Sequence, residues 1–278
     1  MNNKIQFESP SFINRLKGML GVDFYRLFHT PLFYIFLAIA AIIPAMVLGM
    51  TNIADPVTGE INRLYDNTWQ VIASLKPVYV VSDIAEYANM NMVFIFGGIM
   101  VSIFIGHDYK SGYVKQLFTT HAKKQDYMMS KTITCAFAMA CMCLTYLLGT
   151  VISGLLTQTS FEVNVGSLLI AIISKIIMSL GWASLYTLLN IIFRRYFGIS
   201  IASSFFFGTG ILIIGAASIF NSLGLDASLL NLFLYGSSVY ACLSSNFTTL
   251  IICITMSLGW TIIYNILGSH ILSKCDVY

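Results

Sequence analysis

An all-α membrane protein with six transmembrane helices is the fold class the sequence predicts, and three observations predict it. The chain is 57% hydrophobic and only 10% charged, with a mean hydropathy of +0.80, whereas soluble domains carry about 25% charged residues. Six apolar stretches are each long enough to cross a bilayer, which takes roughly 20 residues as a helix. Lys and Arg gather on alternate connections between those stretches. With 278 residues there is room for the spans but for no sizeable soluble domain besides, so residues 1–278 read as one transmembrane domain.

The first element covers residues 10–29. Phe12, Leu16, Met19, Leu20, Phe24 and Leu27 recur at helical spacing, interrupted by Arg15, Lys17, Asp23 and Arg26. This pattern predicts an amphipathic helix lying in the membrane interface, with Pro31 introducing the first span. The N-terminal residues lack the short basic-then-apolar order of a cleaved signal and are expected to be retained.

Spans follow at 32–50, 90–106, 132–156, 167–193, 199–220 and 248–272. Hydrocarbon offers the backbone no hydrogen-bond partner, so each span is expected to be a helix. Segment 51–89 is polar, with Pro56, Gly59, Asn62, Asn67 and Pro77, and is expected to fold as a small cap. Segment 221–247 is apolar, nearly uncharged and studded with Gly and Ser. Short broken helices that re-enter the membrane, buried against protein, suit that composition.

Charge sets the orientation. Residues 1–31, 107–131, 194–198 and 273–278 hold twelve Lys and Arg, while 51–89, 157–166 and 221–247 hold only Arg63 and Lys76. Positive charge marks the inner side. A multi-pass protein of the cell membrane is expected, with both termini and the 107–131 segment in the cytoplasm.

Motifs of soluble chemistry are missing. The six cysteines form neither a paired framework nor a CxxC motif, and read as small apolar packing residues. There is no GxxxxGK[ST] phosphate loop and no HExxH, and His29, His107, His121 and His270 have no ligand spacing. No enzyme activity, metal, bound cofactor or nucleic acid is expected of this chain.

Lys175 is the one charged residue inside a predicted span, and such residues are costly and by default functional. Either its amine snorkels toward the outer interface or makes a structural pairing, or it lines a substrate path; Glu162 or a substrate carboxylate is the available acid. Arg194 and Arg195 close the fourth span, where cations offset a helix C-terminus and anchor at headgroups.

The segment 107–131 carries the most specific pattern. Asp108-Tyr109-x-x-Gly112-Tyr113-x-Lys115 follows the second span, a basic turn at His121-Ala122-Lys123-Lys124 comes next, and Lys131 opens the third span. Joined to the topology, this resembles the ABC-2-type permeases, and within them the subgroup tied to export of, or immunity to, lantibiotics and bacitracin-like peptides. The basic turn departs from the family's common form, which has Pro before it and Arg within it. The resemblance implies a type V exporter-like permease fold and a cytoplasmic ABC ATPase subunit that binds the ATP. It implies a second permease chain, identical or related, beside this one in the lipid bilayer.

By the same resemblance Asp108, Tyr109, Gly112, Tyr113, Lys115, Leu117 and Lys131 form the ATPase-coupling segment. Tyr113, Leu117 and Phe118 are expected to insert into a groove of the ATPase, while Lys110, Lys115 and Lys123 meet its acidic rim. The alternative is a stand-alone membrane protein, either a secondary transporter or a peptide-binding immunity or sensor protein. The former usually carries coupling-ion carboxylates in its spans, and the predicted spans have none.

Overall fold

The computed structural model describes residues 11–54, 61–63, 67–72, 90–119, 123–162, 164–224, 227–243 and 246–274. Among them are five helices long and apolar enough to cross a membrane, and the protein is a helical multi-pass membrane protein. Residues 120–122 of the basic turn and much of 51–89 lie outside the described residues.

Helix α1 (Phe12–His29) ends at Thr30, whose backbone is extended, and Pro31 begins α2 (Pro31–Thr51). Proline suits a first helical position because its φ is preset and it has no N–H to leave unpaired. Arg26 and His29 occupy the last turn of α1, where cations offset the helix dipole. After α2, the three-residue strands β1 (Asn52–Ala54) and β2 (Ile61–Arg63) pair antiparallel, with Asn52 opposite Arg63.

A 3-10 turn at Thr68–Val71 follows, with the Asn67 side chain accepting from the Trp69 N–H. It is pinned to the long helix α5 (Lys124–Thr157) and the loop beyond it. Tyr146 donates to the Val71 carbonyl at 3.2 Å, and the Trp69 indole donates to the Phe161 carbonyl at 3.3 Å.

The central helix is α6 (Val165–Ile192), whose first N–H groups are capped by the Asn164 side chain. Of its most apolar stretch 67% is buried, against 11% for the final helix α10 (Phe247–Lys274). Helix α6 packs on α5, on α10 and on α3 (Met92–Lys110), while α2 runs along α5. Lipid tails are as apolar as leucine, so close packing and interhelical hydrogen bonds hold such helices together. Ser257 supplies both between α6 and α10, donating to the Ile177 carbonyl at 2.7 Å and accepting the Gly181 N–H at 3.1 Å.

The predicted fifth span, 199–220, is not one helix. It divides into α7 (Phe197–Gly208) and α8 (Ile211–Ser222) at Thr209–Gly210. Gly210 has φ +70°, a left-handed conformation that costs glycine nothing, and the Tyr235 ring stands where a Cβ would project. Each 12-residue half is about 18 Å long, too short to cross alone. Both halves are apolar, so hydropathy runs through the break unchanged.

A buried polar cluster ties α7 to its neighbours. Ser102 and Ser204 hydroxyls meet at 2.8 Å, Asn190 donates to Ser102 at 3.1 Å, and Ser200 donates to Asn190. Within 221–247, the described residues form a 3-10 helix at Ala227–Leu232 and α9 (Leu234–Leu243), which packs on α6 and α10.

Candidate functional site

The charged segment 107–131 is largely helical rather than a loop. Helix α3 continues to Lys110, a short helix α4 occupies Tyr113–Thr119, and α5 begins at Lys124. The second and third predicted spans therefore extend by helical turns that carry charge. Those turns hold because the charges are matched within the protein. Gly112 makes the corner between α3 and α4 with φ +73°, which is why a glycine stands there.

The matching partners come from α1. Arg15, Met19, Asp23, Arg26 and Leu27 fall on one stripe of that helix, and the stripe faces the rest of the protein, with Asp23 and Leu27 buried. Lys131 lies between two carboxylates, 2.6 Å from Asp23 and 2.6 Å from Asp108. Arg26 pairs with the other oxygen of Asp108, and Ser130 donates to Asp23 at 2.6 Å. Asp108 and Lys131 are both 0% exposed. Two anions face two cations, so the knot is neutral as a whole, which is what makes buried charge tolerable. A separate pair, Arg15 with Asp126 at 2.7 Å, fastens the beginning of α1 to α5.

Aromatic faces enclose the cations. The Arg26 guanidinium stands 4.3 Å from the Tyr113 ring centre, and the Lys131 amine lies 4.9 Å from that of Phe104. Burial, then the Asp23 charge, raise the Tyr113 phenol above its ordinary pKa against the opposing pull of Lys131 and Arg26. It stays neutral and offers its ring to the cation. For Arg26, burial works against the charge, and Asp108 followed by Asp23 outweighs it, leaving the guanidinium above its ordinary value.

The residues assigned to coupling thus divide. Asp108, Tyr113 and Lys131 meet one another inside the protein, and Tyr109 packs half-buried beside them. Leu117 and Phe118, expected to insert into a partner, are partly buried and pack on the cluster of Val114, Tyr127, Met128 and Leu272. Lys110, Lys115, Gln116 and Thr119 face outward. Each carboxylate in the knot is paired with a cation, so the arrangement clamps α1, α3 and α5 together.

Lys175 neither snorkels nor meets Glu162. It is 0% exposed, donating to the Asn91 side chain and, at 2.6 Å, to the Ser238 carbonyl of α9. Among the described residues no carboxylate lies within ion-pair distance of it. Glu162 uses its main-chain carbonyl to accept from Asn67. No expected site residue pointed to Asp23, Arg26 or Asn91. The stripe spacing on α1 is the available signal for the first two, and Asn91 has none. No family model matches the chain, and no curated protein matches it.

Proposed function

We propose that the chain is the membrane-spanning permease subunit of an ABC transporter of the ABC-2 type. Two such chains, identical or related, would move an amphipathic compound or antimicrobial peptide outward, with ATP hydrolysed on a separate cytoplasmic subunit. The observation that carries this reading is α4, a seven-residue helix set at the corner between two long apolar helices. Its inner side rests on Arg26 through Tyr113. Its outer side offers Lys115, Gln116 and Thr119. A partner pressing on that outer side would load α1, α3 and α5 together, because the Asp23–Lys131–Asp108–Arg26 knot joins all three. The twelve-to-two distribution of Lys and Arg supports a cytoplasmic position for α4 and both termini.

The docking surface under this reading is the polar side of α4, with its lysines set to meet an acidic rim. Co-expression of the full chain with its ATP-binding subunit, followed by co-purification, tests it. Lys115→Glu combined with Gln116→Glu is expected to lower recovery of the subunit about tenfold or more, while the permease elutes unchanged from a sizing column. Undiminished recovery would overturn the docking assignment. Transport or peptide resistance persisting without any ATP-binding subunit would favour the stand-alone alternative.

A further inference from the structure

A cavity of about 770 Å³ opens between the start of α1, the first turns of α5 and the last turns of α10. Two interhelical hydrogen bonds fix its depth scale. Lys124 donates to the Ser273 carbonyl at 3.4 Å at the ends of the helices, and Thr132 donates to Asn265 at 3.3 Å further in. Those levels are about 12 Å apart at a helical rise.

Cationic and apolar lining separate along that depth. Lys123, Lys124 and His270 stand toward the helix ends, and Met129 and Ile266 stand further in, with Asn265 at their level, while Phe12 of α1 also borders the cavity. The inner wall continues into exposed Ile262 and Ile263 on α10. Among the described residues no Asp or Glu lines the cavity. The nearby Asp126 is 1% exposed and engaged by Arg15. A groove with a cationic mouth and a largely apolar floor, at the ends of two helices long and apolar enough to cross a membrane, is complementary to a lipid with a negative headgroup.

We infer that this groove binds one anionic phospholipid of the surrounding bilayer, its phosphate at Lys123 and Lys124 and an acyl chain along Met129 and Ile266. The lipid is preferred to a free anion because the apolar floor would otherwise stay uncovered. A zwitterionic lipid brings an ammonium for which no carboxylate stands among the described lining residues. The site is independent of transport and would stand whatever the chain moves.

Native mass spectrometry of the full-length protein in detergent, titrated with phosphatidylglycerol and with phosphatidylcholine, tests the inference. Wild type is expected to retain one phosphatidylglycerol about thirtyfold more tightly than phosphatidylcholine, the factor for two lysines meeting an anionic headgroup. Lys123→Gln with Lys124→Gln should erase that preference, and the corresponding pair of Arg substitutions should keep it. Lys110→Gln with Lys115→Gln, away from the groove, should leave it intact. Equal retention of both lipids by wild type, or an undiminished preference in the Gln variant, overturns the site. Displacement of the lipid by excess inorganic phosphate would make it a site for free anions and overturn the lipid assignment.

Discussion

Lys131 and Lys175 are both sealed from solvent, but their amines meet different surroundings. Lys131 lies between Asp23 and Asp108, with Arg26 completing a neutral set. Lys175 is held by an amide oxygen and a main-chain carbonyl, from Asn91 and Ser238. The first arrangement joins α1, α3 and α5 by opposed charges. The second joins α6 to the beginning of α3 and to α9 by dipoles, with the Phe94 ring 5.7 Å from the amine, and no opposed charge among the described residues. A lysine within a hydrophobic helix therefore has no single meaning; its partners decide whether it acts as a rivet or as a weaker, separable contact. Moving α9 would strip Lys175 of an acceptor and leave the Lys131 knot untouched.

Substitution of each lysine by methionine, similar in volume but uncharged, puts that difference to measurement. Lys131→Met leaves two buried carboxylates facing Arg26 alone and is expected to cost about 3–5 kcal/mol, read from thermal unfolding in detergent. Adding Asp23→Asn should return part of that loss, because the two positions share one network.

Lys175→Met removes a charged donor from two uncharged acceptors, of which the Asn91 oxygen keeps the Ser238 hydroxyl at 2.9 Å, and is expected to cost about 1–3 kcal/mol. A loss at Lys175 equal to that at Lys131 would break the comparison. The smallest effect is expected at the corner that presents α4. Gly112→Ala meets no neighbouring atom but keeps φ at +73°, a cost of about 1 kcal/mol for an L-residue. A variant as stable as wild type would show that the corner relaxes to a different conformation.

Much of the architecture is legible in the order of the residues alone. The apolar runs locate α2, α3, α5, α6 and α10, because length and hydropathy are local properties that a bilayer selects directly. Pro31 is readable as the start of α2 because its preset φ is equally local. The division of 199–220 is not, since Thr209 and Gly210 interrupt an apolar run without changing its composition. Only the placement of Tyr235 against Gly210 gives the break a packing reason.

The candidate site is half legible. Asp108, Gly112, Tyr113 and Lys131 stand out by residue type and spacing, but their roles do not. Lys131 is 108 residues from Asp23, and Arg26 is 82 from Asp108, separations across which no local pattern can pair charges.

By itself, then, the sequence determined that this is a helical membrane protein, where its long apolar helices run, and that its positive charge crowds one set of connections. Those outcomes depend on solvation of one segment at a time. Tertiary structure decided which charges neutralise one another, which face of α1 turns inward, and that Lys175 is fastened to Asn91 and Ser238. Such outcomes depend on segments distant in sequence sharing one dry space, where a charge is tolerable only if the fold brings its partner.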